Sequence, residues 1–323
     1  MVLRLRKWGG AAVLRSVIAV VLLASSLLVR AAEPMGIATI VEGKAIVIRA
    51  LSKLHAAEGV RLLADDLIQT DNGTFLRIEY DDETSIELGP ETLLQLNHPS
   101  RRRAEGPSLY LLAGWLKLAS GKPDARSKPS LRSTRVDVVD LAGVAVVRAD
   151  AATNAVFVEQ GTARWIDRRA RGAQAVVMKA GDFLIVSRDK VPSLKSRPAE
   201  DFVNSVPRTF RDTLPVRYAK FQGRAVVAKN EGGFLYADVE PWVDAEPSIR
   251  RQFVLLWREK ADDAAFRAPL ERRLSMHPEW GPVLYPELYE PKAEQQGTSS
   301  GRGPVAGKPE AQSPATPTAP AMH

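Results

Sequence analysis

The fold is decided by two neighbouring segments, TIVEGKAIVIR (39–49) and VRLLADDLIQTDNGTFLRIEYDDETSIELGPETLLQL (60–96). Their apolar and polar residues alternate with a period of two, which is typical of short β-strands. Each apolar run ends in a cluster of residues that favour turns: Glu42-Gly43, Asp71-Asn72-Gly73, Asp81-Asp82-Glu83 and Gly89-Pro90. Strands of this length cannot bury a core alone, so we expect them to stack into a larger β structure.

The same pattern continues to residue 188. Further pairs of short strands are expected around Gly114, Gly161 and Gly181, each with glycine at the turn. We therefore interpret residues 36–188 as one β domain of stacked short strands.

Residues 39–96 resemble the periplasmic domain of the FecR family in the order and spacing of five parts. The first part is an opening strand that turns at a glycine (41–45), and the second is a segment of small residues and Asp that ends in Thr (63–70). A strand follows (75–80), and then an acidic turn with the next strand (81–88). The last part is a Gly-Pro pair (89–90).

The resemblance continues more weakly through 108–117 and 136–165. It implies a mainly β fold with a β-solenoid-like arrangement, and a β-sandwich is the alternative because it would give nearly the same pattern. One departure is LAGV (141–144), which stands where FecR-like chains usually carry a Gly-Thr.

Residues 1–31 have the composition of a signal peptide. Three basic residues precede an apolar run at 17–28, and small residues stand at positions −3 and −1 of a cleavage site after Ala31. The apolar run is shorter than the ~20 residues that a spanning helix needs. We expect export to the periplasm with cleavage after Ala31, and the alternative is an uncleaved membrane anchor.

The net charge argues against nucleic acid as a partner. The chain has a formal charge of +7, but residues 1–31 contain five basic and no acidic residues, so the mature chain carries +2. Nucleic-acid binding depends on a strongly basic surface. The chain also has no cysteine, which excludes disulfides and thiolate metal sites.

The composition changes after the β domain. Residues 189–204 are rich in proline and basic residues and are expected to form a linker. Residues 205–291 are expected to form a small α-rich module. Residues 292–323 are rich in Pro, Gly, Ser, Ala and Thr, so we expect a disordered tail.

Within the module, apolar residues recur at helical spacing over 249–259 and 261–276, which predicts two helices. Two strands are expected at 221–228 and 233–237. The helices carry more large apolar residues than they can bury against each other, so we expect the module to pack against the β domain.

One charged cluster is a candidate binding site. Arg101, Arg102 and Arg103 lie in a predicted loop and could contact an anionic partner. The alternative is a solvated loop whose charges discourage aggregation of the flanking strands.

No catalytic, cofactor or metal site is expected. The dense carboxylates fall in predicted turns or strands and follow no calcium-loop spacing: Asp65, Asp66, Asp81, Asp82, Glu83 and Glu87. The four histidines are scattered, and a G-x-S-x-G motif is absent.

The resulting expectation is a non-enzymatic, exported FecR-like protein that binds an envelope protein or polymer, or holds part of an envelope assembly. An alternative is an enzyme acting on cell-wall or surface glycan, with two of the carboxylates above as acid and base. A third alternative is a peptidoglycan-associated module, since FecR-like domains often stand beside wall-binding repeats.

Signalling members of the family carry a cytoplasmic region before their membrane segment, whereas only 16 residues precede the apolar run here. We therefore do not expect sigma-factor regulation. A membrane-anchored signalling regulator stays an alternative if the N-terminal segment is not cleaved. The sequence leaves the oligomeric state open.

Overall fold

The computed structural model describes residues 34–97, 108–122, 128–224 and 226–289. The expected signal segment, the arginines at 101–103 and the expected disordered tail lie outside these residues. The described chain is mainly β, with one mixed sheet of 16 strands followed by a small helical module. The predicted fold class is confirmed.

The strands follow the predicted alternation closely in the first half of the chain. Their bounds are β1 Pro34–Glu42, β2 Ala45–Arg49, β3 Ser52–His55, β4 Arg61–Leu63, β5 Leu67–Thr70, β6 Phe75–Glu79, β7 Ser85–Leu88, β8 Leu93–Asn97, β9 Ser108–Ala119, β10 Ser130–Ser133, β11 Val136–Ala149, β12 Thr153–Asp167, β13 Val176–Lys179, β14 Phe183–Ser187, β15 Ser193–Lys195 and β16 Lys229–Gly233. The four predicted turn clusters lie between β1 and β2, between β5 and β6, between β6 and β7, and between β7 and β8.

Three long strands, β9, β11 and β12, bend in their middle. The first half of β9 pairs with β8 and β10, whereas its second half, from Gly114 onward, pairs with β7 and β11. The expected turns at Gly114 and Gly161 are therefore wrong, because each glycine lies inside one continuous strand. Glycine within a strand marks a bend or a close backbone approach as often as a turn.

The bend in β11 and β12 requires glycine at two facing positions. Gly143 and Gly161 are register partners, with φ of 138° and 73°. A Cβ on Gly161 would lie 1.8 Å from the carbonyl oxygen of Ala142, and one on Gly143 would lie 2.0 Å from that of Gln160. Any side chain here would push the two strands apart.

The bends fold the sheet over one apolar core. A single cluster of buried residues contains Val47 and Ile68 from one half of the sheet and Leu76 and Ile86 from the other. Among the described strand pairs only β9–β10 is parallel. Antiparallel pairing around a shared core is closer to the sandwich alternative than to a solenoid.

Both outer faces of the folded sheet are covered by the C-terminal part of the chain. Its helices are α1 Glu200–Ser205, α2 Tyr218–Gln222, α3 Tyr236–Val243, α4 Pro247–Leu256, α5 Ala264–Arg272 and α6 Gly281–Leu284, with 3₁₀ turns at Arg208–Arg211, Arg258–Asp262, Pro278–Trp280 and Pro286–Leu288. None of the described helices is long and apolar enough to cross a bilayer.

On one outer face, α1 and the turn after it contribute Phe202 and Phe210. These rings pack on Phe75 and Phe183, and the ring centroids of Phe183 and Phe202 are 4.7 Å apart. Residues expected to form a linker therefore include a helix whose aromatic side chain is buried against the sheet.

On the other outer face, the helical module packs on β2, β5 and β9. Ile46, Ile48 and Tyr110 share one buried cluster with Trp242 and Phe253 from α3 and α4. The expected packing of the module against the β domain is confirmed. Burial of each such side chain contributes ~2 kcal/mol.

The module also extends the sheet, since β16 pairs with the edge strand β3. The two predicted helices are observed as α4 and α5. The strand predicted over 221–228 is wrong: its first two residues end α2, and β16 begins at Lys229. Residues 233–237 are also not a strand; β16 ends at Gly233 and α3 begins at Tyr236.

Candidate functional site

Three of the carboxylates considered for an enzyme, Asp66, Asp82 and Glu87, are held by their own neighbours. Asp66 is buried and accepts hydrogen bonds from Arg49 Nε and Nη2 at 2.8 and 2.6 Å and from the Leu63 amide. Burial raises the pKa of Asp66 in spite of Arg49. Asp82 accepts bonds from the amide and hydroxyl of Thr84 and so stabilises its own turn.

Glu87 belongs to a buried ion network on the face that β6 and β7 turn away from the core. Arg77 donates to Glu79 and Glu87 at 2.7 and 2.8 Å, and all three residues are buried. The segment after Phe210 covers them, because the amide of Arg217 donates to Glu79 Oε2 at 2.7 Å. Burial raises the pKa of Glu87.

These partners assign the buried carboxylates a structural role. The turn that holds Asp65 and Asp66 joins β4 to β5, whereas the turn that holds residues 81–83 joins β6 to β7. Within the described residues, no group of three His, Asp or Glu side chains could hold a metal ion. His277 is fully buried, 3.9 Å from Asp244, and burial lowers its pKa.

A cleft of about 510 Å³ with the character of a binding site lies where the helical module meets the folded sheet. Clefts of this size hold small organic ligands. Its walls come from β8 and β9, from the turns beside β11, β12 and β14, and from the end of α3: Leu93, Leu112, Ala113, Thr134, Arg135, Asp150, Ala151, Arg169, Arg188, Pro241, Asp244, Ala245 and Glu246.

Arg135 is the most enclosed charge in the cleft, with 8% of its surface exposed. Its Nη1 donates to the Thr134 hydroxyl at 3.0 Å and to the carbonyl of Asp150 at 3.2 Å, and its Nη2 donates to the carbonyl of Ala151 at 2.5 Å. These carbonyls lie at the far end of β11. Arg135, which precedes β11, therefore connects the two ends of this bent strand by hydrogen bonds.

Arg169 connects the end of β12 to the segment after β14. Its Nε and Nη2 bind Asp167 at 2.9 and 2.8 Å, and its Nη1 donates to the carbonyls of Ser187 and Lys190. Arg188 is exposed, and among the described residues its side chain makes one hydrogen bond, from Nη2 to the Ala151 carbonyl at 3.2 Å.

The charges of the cleft are unequally matched. Its acids each have a cation from outside the lining: Glu246 binds Arg168 at 2.6 Å, Asp244 binds Arg273 at 2.5 Å, and the carboxylate of Asp150 lies 4.0 Å from Arg148. Within the described chain, neither Arg135 nor Arg188 has a carboxylate within 4.0 Å. Burial, and then the charge of Arg188, lower the pKa of Arg135.

Sequence reasoning did not find this cleft. It selected Arg101, Arg102 and Arg103, which lie outside the described residues. The cleft arginines stand singly at strand ends, one residue before β11, two after β12 and one after β14. An arginine beside a strand end is the only sign of the site in the sequence. The strand ends that carry the three arginines come together in the fold because β11 and β12 bend.

No protein-family model matches the chain, and no characterised protein matches its sequence. The structure is distantly similar to two crystal structures, at 2.50 Å and 1.65 Å, of a "putative anti-sigma factor" from Parabacteroides distasonis ATCC 8503. In both, the TM-score is 0.35 and the identity 16%, and the match covers 42% of this chain and 62% of that protein, less than two thirds of its length.

Proposed function

We propose that this is a non-enzymatic, exported FecR-like protein that binds a protein or polymer partner in the periplasm, or holds part of an envelope assembly. The observation that carries the proposal is the cleft between the sheet and the helical module, a concave site lined by six apolar and six charged residues and one threonine. Concave sites where polar groups converge beside apolar surface are the usual places of ligand recognition.

The surroundings of the carboxylates favour binding over catalysis. A glycosidase needs an acid and a base that face each other across a groove about 5–10 Å wide. Here Asp66 is bonded to Arg49, and Glu87 is covered together with Arg77. Groups held in this way support the fold.

The location rests on residues 1–31. A fusion of residues 1–40 to an alkaline phosphatase that is active only outside the cytoplasm should give active enzyme. The same fusion with Arg4, Arg6 and Lys7 replaced by glutamate should lose this activity. Cleavage after Ala31 predicts a mature N-terminus at Ala32, which N-terminal sequencing of the purified protein would show. Retention of Met1 would favour the anchor.

The binding role is tested by recovery of a partner from envelope extracts with the tagged full chain as bait. Ala151 and Ala152 are adjacent and exposed, but only Ala151 lines the cleft. Ala151→Trp should therefore block the cleft, and Ala152→Trp is the matched control. We expect the wild type and Ala152→Trp to recover the same envelope component and Ala151→Trp to lose it. Recovery of no envelope component, or equal recovery by all three, would count against the proposal.

A further inference from the structure

We propose that the cleft binds an organic anion, whose carboxylate or phosphate group is held by Arg135 and Arg188 and whose apolar part lies against the apolar residues of the lining. The inference rests on the proposed binding function and names the class of ligand for that same site.

The hydrogen-bonding capacity of Arg135 is only partly used. A guanidinium has five N–H donors, and Arg135 makes three bonds, all from Nη1 and Nη2. Its Nε–H and one Nη2 hydrogen have no acceptor in the part of the chain that the structure describes. Arg49 uses this same pair of atoms, Nε and Nη2, to hold both oxygens of Asp66. The free edge of Arg135 therefore matches a planar carboxylate or two oxygens of a phosphate.

The charge at Arg135 and Arg188 also favours an anion. A buried cation is costly unless it is paired, and the acceptors of Arg135 are neutral carbonyls and a hydroxyl. Arg188 adds a second positive charge at the same carbonyl of Ala151. The acids of the cleft have cations from outside the lining. An incoming anion would therefore meet two arginines that have no carboxylate within 4.0 Å in the described chain, with Asp150 and Asp189 acting on Arg135 only at longer range.

The remaining walls suit carbon. Leu93, Leu112, Ala113, Pro241 and Ala245 also line the cleft and offer no side-chain polar group. An inorganic ion would leave this apolar surface exposed to water, whereas an anion with an alkyl or aromatic part would cover it. Each CH₂ group so buried adds favourable free energy of transfer. The ligand is therefore an amphipathic anion of small size.

The structural role of Arg135 is compatible with this binding. Its bonds to the carbonyls at the end of β11 use Nη1 and one hydrogen of Nη2, and these can persist when the other edge holds a ligand. Arg188 makes one long bond from an exposed position, so its replacement should leave the fold intact.

The test is calorimetric titration of the full chain, purified after expression with its own N-terminal segment, with three matched probes. Hexanoate and hexyl phosphate supply the two anionic groups, and 1-hexanol supplies the same chain without charge. We expect at least one anion to bind tenfold or more tightly than hexanol, and more weakly as salt is raised. The stronger of the two anions identifies the head group.

Arg188→Gln should lower the affinity for that anion about tenfold, because it removes one charge-assisted contact, and should leave hexanol binding and the melting temperature unchanged. Arg251→Gln is the matched control, since Arg251 is exposed on α4 and does not line the cleft. Arg135→Lys keeps the charge but loses the side-on edge, so it should also weaken anion binding.

Three results would overturn the inference: absence of binding by both anions, equal binding of hexanol, or unchanged affinity in Arg188→Gln. If these occur while the envelope partner is recovered and lost with Ala151→Trp, the ligand class is wrong and the binding function stands. If the anion binds but no envelope partner is recovered, the failure belongs to the proposed function.

Discussion

Replacing Trp257 by alanine should destabilise the whole described structure, including the β domain. Trp257 follows the last residue of α4, is fully buried and stacks on Phe253 with ring centroids 4.3 Å apart and planes 10° apart. Its ring also contacts Phe234, at 5.1 Å. The indole N–H has no acceptor among the described residues, so the loss is one of packing.

The magnitude follows from the burial. Truncation of a buried Trp to Ala costs about 3–5 kcal/mol, because a cavity remains where the ring was. The cluster that contains Trp257 also includes Ile46 and Ile48 of β2, so the module and the sheet should unfold together. For a domain of this size each kcal/mol shifts the melting temperature by about 2–4 °C, which gives a fall of about 6–20 °C.

Thermal unfolding followed in parallel by far-ultraviolet and near-ultraviolet circular dichroism measures this effect. We expect one transition at both wavelengths, shifted together in Trp257→Ala. Leu255→Ala is the control, because Leu255 lies in the same helix but is 81% exposed, and its change should be below about 0.5 kcal/mol. An unchanged far-ultraviolet transition, with loss of the aromatic signal alone, would show that the module unfolds independently and would refute the reasoning.

Three further predictions concern glycine, pH and buried charge. Gly161→Ala should cost several kcal/mol in urea unfolding because its Cβ would meet a carbonyl oxygen, whereas Gly172→Ala, at a similar φ of 70° in open space, should cost only about 1–2 kcal/mol; equal costs would contradict the close approach. Burial lowers the pKa of His277, so below about pH 6.5 the unfolded chain binds a proton at this residue more readily than the folded chain does, and the free energy of unfolding should fall. His277→Gln should remove this component from the stability measured between pH 7.5 and 5. An identical pH profile in the variant would contradict the prediction. Arg77→Met should cost about 3–5 kcal/mol because it removes the cation that pairs with two buried glutamates. Arg132→Met, at an exposed pair, should cost below about 1 kcal/mol, and similar losses would show that the network is not a buried one.

The strands and turns of the first half could be predicted because alternation and turn residues are local signals. The strand Phe75–Glu79 and its flanking turns are examples. The burial of both its faces could not be predicted, since Arg77 is covered by a segment about 140 residues later in the chain. The polar residues of that strand gave the pattern of a solvated face, although they form a buried ion network.

The candidate site could not be predicted either, because it too depends on contacts between residues that are distant in the sequence. Gly143 and Gly161 are visible in the sequence, but a glycine in a strand is compatible with a turn or with a bend. Only the bend brings Arg135 to the carbonyls of residues 150 and 151 and places Arg188 beside it. The helical spacing around Phe253, in contrast, predicted both the helix and its packing, because excess apolar surface must be buried somewhere.

The most direct test of the account is hydrogen exchange of the full chain, read by mass spectrometry, with and without saturating hexyl phosphate or hexanoate. An anion held in the cleft should slow exchange in peptides that cover residues 134–136, 150–153 and 187–190 and the end of α3, and leave the rest unchanged. The amides of Ala152 and Thr153, which bond the carboxylate of Asp150 beside the arginines, should be among those slowed. Protection confined to other parts of the chain, or no protection at any ligand concentration, would contradict a binding site where the module meets the sheet.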